Sequence, residues 1–213
     1  MIAIPTQDAL IACRKAFDRD WGAVDDVLYR LCRECPDHSE RRGLTAKLAL
    51  VSRAYSAGLE RRVTPPKGQQ AITVIAEFVH AHHAEVDAII QGLAVVEEPL
   101  TVQTMQGIVN LHGRFTTLLR GVVTDGKAPR SFAAKYLHFH RPVVPIYDGY
   151  AAIGVGKLVR WDAKNLPFAR PDDGDPDYYE FCVRFWRLYD ACRKAGLEVT
   201  VKMLDNYLWA VPE

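Results

Sequence analysis

Apolar residues recur every three or four positions along almost the whole chain, which is the pattern of amphipathic α-helices. Alternating apolar and polar residues, typical of strands, are convincing nowhere outside residues 142–147. The sequence therefore predicts an all-α fold, a compact bundle of about eight or nine helices. The predicted helices cover residues 6–17, 23–35, 45–62, 69–92, 101–119, 129–140, 148–159, 178–195 and 199–208.

Several residues mark where these helices begin and end. Thr6 and Asp148 are side chains that favour the N-cap position. Pro129 suits a first helical turn, and Pro142 disfavours helical backbone at the residue before it. Gly196 is expected to follow the aromatic helix 178–195, which we predict packs on the N-terminal helices.

Composition limits the class of protein. The 213 residues, 49% of them hydrophobic, predict a single all-α domain over residues 1–213, with a two-lobed arrangement and a cleft near 129–148 as the alternative. A net charge of +1 means that nucleic-acid binding requires a local basic patch. No apolar run approaches the length of a membrane span, and the N-terminus has no charged region typical of a signal peptide. Five cysteines without framework spacing predict reduced thiols in a cytoplasmic protein.

Residues 128–148 form the most informative stretch. Lys135 lies in mid-helix among apolar neighbours, where a lysine needs a partner or a lowered pKa. Asp148, which follows a rigid apolar segment, is the nearest candidate partner. Ser131, Lys135 and His138 share one helix face because they are three and four residues apart. Two interpretations remain open: a functional Lys135–Asp148 pair, or a helix cap at Asp148 with a lysine whose ammonium reaches water.

Residues 53–62 form a second candidate site. Arg53 lies near the apolar face of its predicted helix, and half-buried arginines usually hold a carboxylate or a phosphate. Tyr55, Arg61 and Arg62 follow it in the sequence. We therefore include all four residues among the candidate binding residues, although basic residues at a helix C-terminus are also explained by the helix dipole.

Metal and cofactor signatures are weak. His80, His82 and His83 are close enough on one helix to form part of a metal site, but such clusters are more often solvated faces. Cys32 and Cys35 have the spacing of half a zinc site, with no second half following. No phosphate loop or dinucleotide fingerprint occurs at the required spacing. The sequence therefore predicts neither a bound metal nor a cofactor.

Residues 119–153 resemble the core of the helix-hairpin-helix base-excision DNA glycosylases. In that family a hairpin leads into a helix with a catalytic lysine, and an extended segment then presents an aspartate at the start of the next helix. Lys135 and Asp148 match these two positions, and the segment Val144-Pro145-Ile146-Tyr147-Asp148 matches the extended one. Separately, residues 131–148 and 53–62 are similar to motifs that recur in uncharacterised bacterial proteins.

The resemblance implies base excision, with DNA or a nucleotide as partner. Asp148 would stabilise an oxocarbenium-like sugar or activate water, and Lys135 would attack C1′ to form a Schiff base. The extruded base would lie in a pocket of aromatic and histidine side chains. The residues expected to line it are Tyr136, His138, His140 and Tyr147, together with Phe139.

Two alternatives come from other functional classes. The chain could be a non-catalytic helical module, such as a bacterial defence or regulatory component, in which Arg53, Arg61, Arg62 and Lys135 recognise a phosphate or nucleotide. It could also be an adaptor that binds another protein through residues 172–179 and the aromatic helix. A Lys135–Asp148 pair in a cleft would favour the enzymatic reading.

Overall fold

The computed structural model describes residues 2–211, and the regular elements within them are all helices, which confirms the all-α prediction. No helix in this part of the chain is long and apolar enough to cross a bilayer. The helices are α1 (Gln7–Glu34), α2 (Arg41–Ala54), α3 (Ala71–Ala81), α4 (His83–Gly92), α5 (Val102–Leu119), α6 (Arg130–His140), α7 (Gly149–Leu158), α8 (Pro176–Lys194) and α9 (Val201–Ala210), with a short 3-10 helix at Leu59–Arg62.

The boundaries of four predicted helices are wrong. The two predicted N-terminal helices are one continuous α1, because a single interior glycine, Gly22, costs only about 1 kcal/mol and packing offsets that cost. The predicted helix 69–92 is divided at His82 into α3 and α4. The predicted helix 45–62 stops at Ala54, since Ser56 and Gly58 adopt left-handed backbone with φ of 50° and 67°.

Helix α6 is the centre of the core. Its residues from Phe132 to Phe139 are all buried, and α6 packs against α1, α2 and α5. A helix buried on every side must place its polar residues against partners. The prediction that the core is built around residues 129–148 is confirmed.

Helix α9 closes the fold against α1 and α7. Its approach to α7 requires Gly154, because a Cβ there would overlap the backbone carbonyl of Leu208. Gln7 and Glu198, which are 191 residues apart, exchange two hydrogen bonds between the beginning of α1 and the segment before α9. The aromatic helix α8 packs against α5 and α7 rather than on the N-terminal helices, which corrects that expectation.

Candidate functional site

A cavity of about 640 Å³ opens between α1, α6, α7 and α9, within the size range of small-molecule sites. It combines a few ionisable groups with mostly apolar and aromatic walls. The lining residues are Phe17, Trp21, Ala54, Tyr55, Ser56, Ser131, Lys135, Ile146, Asp148, Gly149, Tyr150, Ile153, Asp205, Asn206 and Trp209.

Lys135 provides the cation of this cavity. Only 5% of the residue is exposed, and its Nζ donates a hydrogen bond of 2.9 Å to the carbonyl oxygen of Tyr55. That carbonyl is free because α2 ends at Ala54, and helix C-termini attract cations. Burial lowers the pKa of the Lys135 ammonium, and the carboxylates of Asp148 and Asp205 oppose the shift only in part. The neutral amine is therefore more accessible than in an exposed lysine.

Asp148 lies opposite, with its carboxylate 3.7 Å from the Lys135 ammonium. The same carboxylate caps α7, since Oδ1 accepts the backbone N–H of Ala151 at 2.8 Å. The structure therefore brings Lys135 and Asp148 together in one cavity, a point that the sequence left open, and Asp148 is the N-cap of α7. Asp148 therefore both faces Lys135 and caps α7, which combines the two interpretations that the sequence left open.

Helix α9 contributes two polar residues that the sequence-based analysis did not identify. Asp205 is 8% exposed and Asn206 is 4% exposed, and both line the cavity. Burial raises the pKa of Asp205 to about 7, and the nearby Asp148 and Asp25 add to this rise against Lys202 and Lys135. The sequence did contain a sign that Asp205 is buried. It lies one helical turn after the apolar Val201, and therefore on the buried face of α9.

Large aromatic side chains surround the mouth of the cavity. Trp209 and Tyr150 are 50% and 58% exposed, and their ring centroids are 5.3 Å apart. Trp21 lies on the α1 side, 6.2 Å from the ring of Tyr55. Exposed aromatic rings around an opening favour stacking of a planar ligand. Half of Trp209 therefore faces solvent at the mouth instead of packing in the core.

The arginines predicted to bind lie outside this cavity. Arg53, with 63% of its side chain exposed, forms a two-point ion pair with Glu60 at 2.9 Å, so the expected half-burial is wrong. Arg62 pairs similarly with Asp125 and holds the loop before α6. Arg61 is exposed. Of the second candidate site, the structure brings only Tyr55 to Lys135, while Ser131 also lines the cavity as part of α6.

Tyr136 and His138 lie in the core, which corrects the expectation that they line the pocket. Tyr136 is fully buried and its hydroxyl is 2.6 Å from Nε2 of His38. His138 donates from Nδ1 to the Val144 carbonyl, so its Nε2 accepts from the hydroxyl of Tyr29 at 2.6 Å. Burial lowers the pKa of His138 to about 3, which keeps the ring neutral.

His140, Tyr147 and Phe139 are also separate from the cavity. His140 packs beside the rings of His38 and Tyr136. The ring of Tyr147 lies beneath the guanidinium of Arg130, with Cζ 5.8 Å from the ring centroid. Phe139 is buried behind Tyr55. These side chains are held by packing that the helix pattern alone does not specify.

The histidines of α3 and α4 bond to backbone. Nδ1 of His82 and His83 donate to the carbonyls of Phe78 and His80, and Nδ1 of His80 lies 3.3 Å from the His38 carbonyl. Over residues 2–211 no group of three or more histidine, cysteine or acidic side chains is arranged to hold a metal. All five cysteines are free thiols.

Comparison of the chain with protein-family models, with curated proteins and with solved structures found no match. The site is therefore interpreted from its own geometry.

Proposed function

We propose that the protein cleaves an N-glycosidic bond, using Lys135 and Asp148 on a substrate whose base lies in the aromatic cavity. The observation that carries this proposal is the buried Lys135 ammonium 3.7 Å from the Asp148 carboxylate, inside a cavity large enough for a nucleobase. The resemblance to helix-hairpin-helix DNA glycosylases places a lysine and an aspartate at the same two positions.

The chemistry assigns a separate task to each residue. Asp148 would face the positive charge that develops on the sugar as the base departs, or would accept a proton from an attacking water. Lys135 would add to C1′ as the neutral amine, which its lowered pKa favours. The aromatic rings at the mouth would hold the base by stacking. The bond from C1′ to the base would break as the amine attacks, with its electron pair leaving on the base. In the lyase form the amine would then lose its protons and the C1′–O4′ bond would open, which leaves a Schiff base between Lys135 and the sugar.

The charges in the cavity restrict the chemical class of the ligand. Among the described lining residues Lys135 is the cation, and the Asp148 carboxylate lies 3.7 Å from it, so the cavity favours an uncharged heterocycle over a phosphate group. The arginines that would contact phosphates lie elsewhere and two of them hold carboxylates. DNA, if it is the substrate, would therefore insert a base while its backbone stays outside.

Borohydride trapping tests the lyase form of the reaction directly. The wild-type protein is expected to form a covalent adduct with DNA that contains an abasic site, and Lys135→Met is expected to form none. Lys194→Met is the matched control, because Lys194 forms a 2.7 Å ion pair with Asp190 on the surface of α8. Release of free bases from DNA and from nucleosides, measured by chromatography, tests the hydrolytic form. Absence of both adduct and base release would contradict the proposal.

A second candidate is a non-catalytic base-binding module. It is favoured by the fact that both polar groups already have structural partners, the Tyr55 carbonyl for Lys135 and the α7 N-terminus for Asp148. Two of the four tryptophans, Trp21 and Trp209, line the cavity, so intrinsic fluorescence can report occupancy. Base binding without base release or trapping would favour this module.

A further inference from the structure

Asp205 is a carboxyl group in the wall of the cavity that has no hydrogen-bond donor. Its nearest cation is the Lys202 ammonium at 3.9 Å, and that ammonium lies closer to Asp25, at 2.9 Å. Among residues 2–211, no donor reaches the Asp205 oxygens, and 12% of the side chain is open. A buried carboxyl group without partners costs free energy, which a ligand that accepts its proton can recover.

The next residue strengthens this observation. Asn206 also lines the cavity, and both Oδ1 and Nδ2 of its side chain are buried without a hydrogen-bond partner. The residue is 96% buried, as its exposure of 4% shows. Buried polar atoms almost always have partners in folded proteins, and exceptions concentrate at functional sites. Two consecutive residues of α9 therefore place unused hydrogen-bonding capacity at this wall.

Burial favours the protonated form of Asp205, and the charges around it act in both directions. Lys202 lies on the same helix, Lys135 reaches it from α6, Asp148 from the start of α7, and Asp25 from α1. Burial together with the two neighbouring carboxylates raises the pKa of Asp205 to about 7, against the opposing effect of the two lysines. A carboxyl group with such a pKa can donate a proton near neutral pH.

We propose that the cavity takes a purine and that Asp205 donates its proton to a ring nitrogen of that purine. The inference rests on the proposed glycosidase function. Purines have ring nitrogens with a free lone pair on their edges, which a carboxylic acid can protonate. In uracil and thymine N-glycosides, N1 bonds to the sugar and the other ring nitrogen, N3, has a hydrogen. Their edges therefore present an N–H group and carbonyls, with no ring nitrogen that has a free lone pair. An acid at this wall therefore favours purine N-glycosides over those of uracil and thymine.

In the reaction, the proton of Asp205 moves to the purine ring nitrogen while the bond between C1′ and N9 breaks. The electron pair of the broken bond passes to N9, so the purine leaves as a neutral base. The positive charge that remains on the sugar faces Asp148. Water adds to C1′ and loses a proton to Asp148, or the neutral Lys135 amine adds in its place. Asp205 is left as a carboxylate and regains a proton from solvent.

Binding of bases that cannot be cleaved tests this inference apart from catalysis. The probes are 9-methyladenine, its 7-deaza and 3-deaza forms, and 1-methyluracil, with tryptophan fluorescence as the readout. At pH 6 we expect 9-methyladenine to bind the wild-type protein about tenfold more tightly than 1-methyluracil. It should also bind about tenfold more tightly than the deaza form that lacks the protonated nitrogen. The preference should disappear above pH 8, where Asp205 has lost its proton. Equal binding of all four probes would overturn the inference.

Variants of Asp205 sharpen the test. Asp205→Asn keeps a donor, so its preference for 9-methyladenine should persist and become independent of pH, whereas Asp205→Leu should lose the preference. Asp190→Asn, which alters an exposed carboxylate on α8, should behave as the wild type. If Asp205→Leu does not fold, the probe series in the wild-type protein decides alone.

The two proposals fail in different ways. Base release without a ring-nitrogen preference overturns the role of Asp205 and leaves the glycosidase proposal standing. A ring-nitrogen preference without base release or trapping overturns the glycosidase proposal and supports a purine-binding module in which Asp205 is the donor.

Discussion

Lys135 and Tyr136 are consecutive residues of α6, and they face two different polar clusters. Lys135 faces the cavity, where Asp205 and Asn206 have no hydrogen-bond donors or acceptors. Tyr136 faces a sealed cluster in which His38 donates from Nδ1 to Asp87 and accepts the Tyr136 hydroxyl at Nε2, both at 2.6 Å. On the sealed side the Tyr136 hydroxyl and both ring nitrogens of His38 have partners, although among the described residues none reaches Nε2 of the neighbouring His140. The cavity side leaves Asp205 and Asn206 for a ligand.

The sealed cluster extends to a second buried lysine. Lys47 has no exposed surface, and its Nζ donates to the carbonyls of Cys35 and Asp37 at 2.7 and 3.1 Å. It therefore supplies the hydrogen bonds that the end of α1 lacks, as a side-chain cap. Lys135 also holds a carbonyl at a helix end, but it lines a cavity and has a carboxylate 3.7 Å away. The two lysines differ in whether a ligand can reach them, because Lys47 is sealed in the core and Lys135 lines the cavity.

The largest expected effect is on the sealed side. His38→Ala removes two hydrogen bonds, leaves the buried Tyr136 hydroxyl without its partner and opens a void. We expect the free energy of unfolding, measured by urea denaturation, to fall by about 3 kcal/mol. The fraction that remains folded should keep the base binding of the cavity. A loss well below 1 kcal/mol would show that this cluster is not a structural one.

The two sides should respond oppositely to acid. Burial lowers the pKa of His38 to about 4, below the unfolded value near 6.5. As pH falls from 6.5 towards 4, the unfolded chain takes up a proton at this histidine that the folded chain does not, so stability decreases. Asp205 has a pKa of about 7 in the folded protein, so it keeps a proton that the unfolded chain releases above about pH 4. Its contribution to the free energy of unfolding therefore falls as pH rises.

Asp205→Asn isolates the cavity side of this balance. One pKa unit corresponds to about 1.4 kcal/mol, so between pH 4 and pH 7 the variant should gain at least that amount in unfolding free energy relative to the wild type. Urea denaturation at four pH values measures it. Parallel curves for the two proteins would contradict the proposed burial of a protonated Asp205.

Replacing Asn206 should raise stability and lower binding. Asn206→Leu removes two unpaired buried polar atoms, and we expect the free energy of unfolding to rise by about 1 kcal/mol. Asn110→Leu, at an exposed position of α5, controls for the higher helix propensity of leucine. The difference between the two variants, measured by thermal and urea denaturation, gives the cost of the unpaired amide. A destabilised Asn206→Leu would indicate that this amide has a structural role.

The smallest effect on stability is expected at Asp148. Asp148→Asn should change the free energy of unfolding by only a few tenths of a kcal/mol, because asparagine caps a helix nearly as well as aspartate. Asp148→Ala should cost about 1 kcal/mol, since it leaves the Ala151 N–H without its acceptor. Base release should be lost in both. An active Asp148→Asn would assign Asp148 to capping alone.

The sequence predicted those features that depend on local pattern. Helical spacing indicated the all-α fold, and the proline-limited segment before Asp148 made this residue the nearest candidate partner of Lys135. The opposite wall of the cavity could not be predicted, because it depends on how α9 packs across α1 and α7. The break after Ala54 was missed for another reason: Ser56 and Gly58 adopt left-handed backbone, and propensity favours helix through this segment only weakly.

The hydrogen bonds between Gln7 and Glu198 have a consequence for how the protein is made. During synthesis α1 to α8 leave the ribosome before the wall with Asp205 and Trp209. Until α9 docks on α1, the charged groups of α6 and α7 face open solvent. Lys135 then has neither its dry surroundings nor its lowered pKa, so the enclosed cavity exists only after α9 has docked.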